Sequence, residues 1–176
     1  MKADIKSEKF HRIRHLALLP VYVPSKFLWS CITVIWAFCL KPYPPALKEF
    51  GIRVVDFEDD GTWENHTKVY AALEMLSRHD REKLELIKKH IRIIFLAPKI
   101  NTGCFYMGTG VCLLNLRRIP AELSPRHHAL TIISWLVYQA SRVKFEGRFG
   151  TYLRTSEAIK NLCKEESQRT MQKFRE

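Results

Sequence analysis

Tyr138, Gln139 and Arg142 are where this chain comes nearest to a catalytic constellation. Residues four apart share one face of a helix, and the residue following the first lies beside that face. With His, Glu and His in those places, two neutral imidazoles would grip Zn²⁺ and the carboxylate would deprotonate a metal-bound water. The types present cannot do this. A phenol titrates at about 10 and is a poor ligand at neutral pH. A guanidinium offers no lone pair and stays cationic. An amide cannot take up a proton as a carboxylate does. These residues predict a helix built to the pattern of a metal site and lacking its ligands, so no metal or cofactor is expected.

Other chemistry-bearing residues are weaker candidates. A relocated hydrolytic site could draw on His79, His90 or His127 with Glu157. His127 and His128 are adjacent, so on a helix they diverge, and both are expected at the surface. Five cysteines (Cys31, Cys39, Cys104, Cys112, Cys163) form no CxxC pair and no finger spacing, which reads as free thiols in a reducing compartment. No motif supports Cys104 as a nucleophile. Residues 106–110 hold glycines but match no phosphate-loop pattern, and the sequon Asn65-His66-Thr67 is too short to carry weight. The chain carries a net charge of +11, with +5 in the first fifty residues and +4 in the last thirty-six. That excess favours anionic partners. A nucleic-acid-binding module would use Arg117, Arg118, Arg126, Arg142 and Lys144, although no reading motif accompanies them.

The elements that must position these residues follow from periodicity and caps. At 176 residues and 47% hydrophobic content, the chain is long and apolar enough for one compact domain with a sizeable core. That domain should begin near Glu49. Gly51 to Phe57 is β-branched and reads as a strand, and Asp59-Asp60-Gly61 as a turn. Thr62 can cap a helix running to about Ser77, and Asp80 can cap the next, with Leu84, Ile87 and Ile91 on its apolar face. Ile91 to Leu96 suggests a second strand. Pro98 to Gly110, with three glycines, reads as a loop, and Val111 to Leu116 as a third strand. Ser124-Pro125 starts a long helix running to about Phe145, whose apolar stripe is Ile132, Ile133, Leu136, Val137 and Ala140. A last helix begins near Thr155 or Ser156.

The N-terminal part differs in texture. Residues 1–15 form a basic tail. Residues 16–45 form an apolar segment with a proline linker, whose uninterrupted run from Phe27 to Leu40 is 14 residues. A bilayer span needs about 20. The run is apolar all round, so it does not read as a helix with one wet face. Phe27, Trp29, Ile32, Ile35, Trp36 and Phe38 are the candidates to associate with a membrane, and the basic residues upstream suit its cytoplasmic side. A helix buried against the domain or a partner protein is the competing expectation. Pro42, Pro44 and Pro45 should stiffen the linker.

From residue 49 the order is strand, two helices, strand, loop, strand, long helix, helix. With this order, four patches carry a resemblance: Leu73 to Asp80 with Ile91 to Phe95, Cys112 to Arg118, Leu136 to Lys144, and Ala158 to Cys163. Together they resemble a family of small bacterial zincin-like metallopeptidases, in which Leu136 to Lys144 aligns with the L-V-H-E-A-T-H-A-R of the active helix. The resemblance covers about two-thirds of the chain and implies an α+β domain over residues 49–176, with a three-stranded mixed sheet on about four helices. It also implies a third ligand position on the last helix, at Lys160 or, one turn earlier, Glu157. With Tyr138, Gln139 and Arg142 in the motif, it implies a pseudoenzyme whose function is binding or regulation. Arg142 would then need an anion. Glu146 is one turn away on its own helix, and Glu157, the preferred partner, would tie two helices together as a metal would.

Overall fold

The computed structural model describes residues 24–25, 27–57, 63–150 and 155–174, with side chains to 147 in the third range. Helix α1 covers 27–39. The other helices are α2 (Pro44–Phe50), α3 (Glu64–His79), α4 (Arg81–His90), α5 (Pro125–Gly150) and α6 (Glu157–Gln172). The strands are β1 (Arg53–Asp56), β2 (Ile93–Leu96), β3 (Cys104–Tyr106) and β4 (Val111–Leu114). The α+β class is as expected. The sheet, however, has four strands rather than three, in the order β1-β2-β4-β3. β1, β2 and β4 run parallel, and β3 is an antiparallel edge strand, pairing Phe105 with Leu113. β3 lies inside the segment expected as a loop. It is only three residues long, and Gly108 and Gly110, both at positive φ, form the turn that returns it to β4.

Alternation along the strands divides the core into two layers. Val54, Ile94, Leu96, Cys112, Leu114 and Tyr106 face the larger layer with α3, α4 and α5. Val55, Ile93, Phe95, Val111 and Met107 face the other side, where Ala37 of α1 closes a smaller cluster. The sheet is therefore covered on both faces, as a mostly parallel sheet must be.

Local signals explain most boundaries. Asp80 caps α4 by accepting from Lys83 N, and Ser156 caps α6 by accepting from Ile159 N. Pro125 opens α5 after Ser124. Its stripe of Ile132, Ile133, Leu136, Val137 and Ala140 is fully buried. α5 runs past Phe145 until Gly147, at φ 71° and ψ 168°, breaks the helical geometry. The proposed cap Thr62 lies outside the described residues, and Trp63 precedes α3 in a left-handed conformation. The expected stiff linker is in fact partly helical, because Pro44 and Pro45 occupy the first turn of α2, where missing N–H groups cost nothing.

Candidate functional site at the α5–α6 face

Tyr138, Arg142 and Glu146 recur every four residues and share one face of α5, the helix that packs most extensively against α6. Arg142 Nε donates to Glu146 Oε2 at 2.7 Å, and the two side chains are only 13% and 6% exposed. Burial pushes the Cys163 thiol of α6 up to about 11; the Glu146 carboxylate adds to this and the Arg142 guanidinium opposes it. Burial likewise raises the Tyr138 phenol, helped by Cys163 and opposed by Arg142 and Lys160. The structure thus gathers Tyr138, Arg142 and Lys160 in one electrostatic neighbourhood, together with Glu146 and with Cys163, which sequence reasoning did not place there.

The partner expected for Arg142 is corrected. Glu146, one helical turn on, takes the guanidinium, while the Glu157 carboxylate accepts from Lys160 Nζ at 2.9 Å. Each acid has a cation one turn away on its own helix, so neither has to reach across to the facing helix.

Gln139 turns away from this group towards the edge of the sheet. It is 7% exposed, and its Nε2 donates to the carbonyl of Cys104 in β3 at 3.2 Å. Its Oε1 is buried without a hydrogen-bond partner among the described residues. A glutamate here would set a carboxylate against that carbonyl, so the amide is what the contact requires. Gln139 and Tyr138 line a groove of about 390 Å³ with Gly103, Cys104, Trp135 and Lys164. In its wall, Cys104 Sγ lies 3.0 Å from Cys112 Sγ, and burial, reinforced by that neighbour, holds the Cys104 thiol well above its usual range.

The remaining histidines and basic residues disperse. His79 lies edge-on to Phe174, and exposed His127 meets the Ser124 hydroxyl through Nδ1 at 2.7 Å. The His90 carbonyl accepts from Tyr106 Oη. His128, expected at the surface, is 9% exposed. Its Nε2 lies 3.1 Å from the Pro120 carbonyl, which can only accept, so that nitrogen carries the proton. His128 and Asp56 line a cavity of about 770 Å³ at the carboxyl ends of the parallel strands, together with Lys68 and Arg117. Ligands bind preferentially at such ends in open sheets. Strand and helix periodicity carried no signal for this cavity, because its walls come from five separate segments. Arg126 donates to the Phe174 carbonyl, Arg142 is ion-paired and Lys144 lies over the Phe145 ring, so the basic residues are spread over different contacts. Arg118 ends the short 3-10 turn that it shares with Arg117.

Phe27, Trp29, Ile32, Ile35, Trp36 and Phe38 are all on the exposed side of α1. Among the described residues no helix is long and apolar enough to cross a membrane, and no three His, Cys, Asp or Glu side chains gather as a metal cage would require. No family model, curated protein or solved structure matches this chain.

Proposed function

We propose that the chain is a catalytically inactive, zincin-like binding or regulatory protein, associated with the cytoplasmic side of a membrane through residues 27–39. The observation that carries the reading is the Arg142–Glu146 pair. Where two imidazoles would hold a metal, α5 instead presents a phenol and a guanidinium, and that guanidinium is already neutralised by a carboxylate. The carbonyl-bound amide of Gln139 leaves no base at the adjacent position. Loss of zinc chemistry leaves the α5–α6 face and its groove free to serve as a recognition surface, and the apolar outer side of α1 supports the membrane assignment.

A second reading is a hydrolase with a relocated site. It is favoured by one observation, the placing of His128 and Asp56 in a single cavity of about 770 Å³. One set of measurements separates the two. On the first reading, the purified chain retains no stoichiometric zinc after dialysis and turns over neither peptide nor ester substrates. About one zinc per chain by elemental analysis would overturn it. Metal-independent hydrolysis abolished by His128→Ala, with Tyr138→Phe unaffected, would establish the second.

A further inference from the structure

Helix α1 is amphipathic in the inverted sense. Its side against the sheet centres on small and hydroxyl residues, flanked by Val34 and Leu40, which pack on the sheet cluster. Ser30 and Ala37 are fully buried, and Thr33 nearly so. Its outward side is apolar: Leu28, Trp29, Ile35, Trp36 and Phe38 are each more than half exposed, and Ile32 adjoins them. At about 100° per residue these positions occupy a continuous arc of roughly 180° that contains no charged residue. Burying hydroxyls while exposing indoles and branched aliphatics opposes the usual partition of side chains, and a contiguous exposed apolar patch of this kind marks an interaction site.

The polar side is fixed in place. Ser30 Oγ is hydrogen-bonded to Thr109 Oγ1 in the β3–β4 turn. Thr33 Oγ1 donates to the Trp29 carbonyl at 2.8 Å, so its hydroxyl is satisfied within the helix. Arg53 of β1 donates from Nε to the Ala37 carbonyl at 2.8 Å and from Nη2 to the Leu40 carbonyl at 2.9 Å, capping the carboxyl end of α1. Trp36 stacks on Phe57, with ring centroids 5.7 Å apart, which extends the apolar surface onto the end of β1. The helix is therefore held on the sheet by these hydrogen bonds and by the packing of Val34, Ala37 and Leu40, with its larger apolar side presented outward.

We infer that this outward side is a preformed docking face for an anionic lipid surface. The inference rests on the membrane-associated reading above and adds its chemistry and geometry. Helix 27–39 is about 20 Å long, too short to cross a hydrocarbon core of about 30 Å but suited to lie in the interfacial plane. Trp29 and Trp36 are of the type that settles at headgroup depth. The surrounding charge is complementary to acidic headgroups: Lys26 and Lys41 bracket the helix in sequence, and the first fifty residues carry a net +5. A second copy of this chain would bring two such basic segments together, each on a molecule of net charge +11, whereas an acidic bilayer neutralises them. Docking requires no unfolding of α1, since the Ser30–Thr109 and Arg53–Ala37 hydrogen bonds that tie it to the sheet lie away from its apolar outer side.

The test uses the full chain with vesicles of phosphatidylcholine alone or with one-third phosphatidylserine. Flotation should show binding at least tenfold stronger to the acidic vesicles, weakened by salt. Brominated lipid should quench Trp29 and Trp36, so that quenching falls in the Trp29→Phe, Trp36→Phe variant. Ile35→Lys should lose at least tenfold in binding with an unchanged melting temperature. A Ser30→Cys, Thr109→Cys disulfide, which locks α1 to the sheet, should bind as well as the unmodified chain. If the lock abolishes binding and reduction restores it, α1 must peel away and the preformed face is overturned, with membrane association intact. Equal, salt-insensitive binding to both vesicles overturns the anionic preference in the same way. Binding to neither vesicle removes the membrane reading itself. A dimer that Ile35→Lys makes monomeric, without vesicle binding, identifies a second copy as the occupant.

Discussion

Arg142 and Glu146 form the most deeply buried ion pair given by the described side chains, and their order along α5 is the less favourable one for a helical i, i+4 pair, with the cation nearer the N-terminus. The pair therefore owes its stability to mutual neutralisation rather than to the helix. Removing the guanidinium leaves the Glu146 carboxylate buried at 6% exposure with its main counter-charge gone. Arg142→Ala should cost about 3 kcal/mol in urea denaturation, whereas replacing both residues by Leu should cost far less, because no orphaned charge remains. A midpoint unmoved by Arg142→Ala would show that the carboxylate is neutralised in some other way, and the idea that this pair stands in a former metal position would lose its basis. At this scale the sequence was only partly legible. Spacing alone grouped Tyr138 with Arg142, and only the resemblance added Lys160. Sequence reasoning favoured Glu157 over Glu146 as the partner of Arg142 and missed, because that choice depends on how α6 is rotated against α5. Nor could it foresee that Gln139 bonds to a strand 35 residues earlier.

The elements were legible wherever a local signal set them. Asp80, Ser124-Pro125 and Ser156 mark three helix starts by capping chemistry that acts within one turn. β3 was hidden because three residues between glycines give no periodicity, and because its stability comes from β4 and from α5 behind it. Gly103 makes this dependence specific. An added Cβ would lie 2.4 Å from Trp135 Cζ2, so the α5 indole rests directly on the backbone leading into β3. An indole is rigid and cannot fold its edge aside. Gly103→Ala should therefore destabilise by about 1–3 kcal/mol through overpacking. Trp135→Leu opens that space, so in the double variant the alanine should cost markedly less than it does alone. Equal penalties with and without Trp135, read from denaturation midpoints, would mean that the contact does not position the edge strand. The orientation of α1 was illegible for a related reason. A run of apolar residues predicts burial, but which side faces the sheet depends on Thr109 and Arg53, far away in sequence.

At the scale of the molecule, α6 is fastened to the rest of the helical layer by charge as well as by packing. Ser134 and Ser167 hydroxyls meet at 2.8 Å across α5 and α6. Lys173, just past α6, reaches the buried Asp80 carboxylate at 2.9 Å, where α3 gives way to α4. Lys83 of α4 pairs with Glu166 of α6, with side chains 12% and 21% exposed. The hydrogen bond from Lys83 lowers the Glu166 carboxyl below its usual value of 4.5, against the opposing effect of its partial burial. A carboxylate lowered on folding stabilises the native state above its unfolded pKa, and that contribution is lost as pH falls through the lower, folded value. The pair should therefore contribute about 1 kcal/mol at neutral pH, a contribution that begins to fade below pH 4.5. Glu166→Gln should lower stability at pH 7 by that amount and flatten the acid limb of the stability curve, so that mutant and parent converge at low pH. Lys83→Met should shift the acid limb in the same direction, because it removes the largest cause that lowers the Glu166 carboxyl. Parallel curves for Glu166→Gln and the parent across the acid range would mean that Glu166 titrates alike in the folded and unfolded chains, and that its pairing with Lys83 does not help to hold α6 on α4.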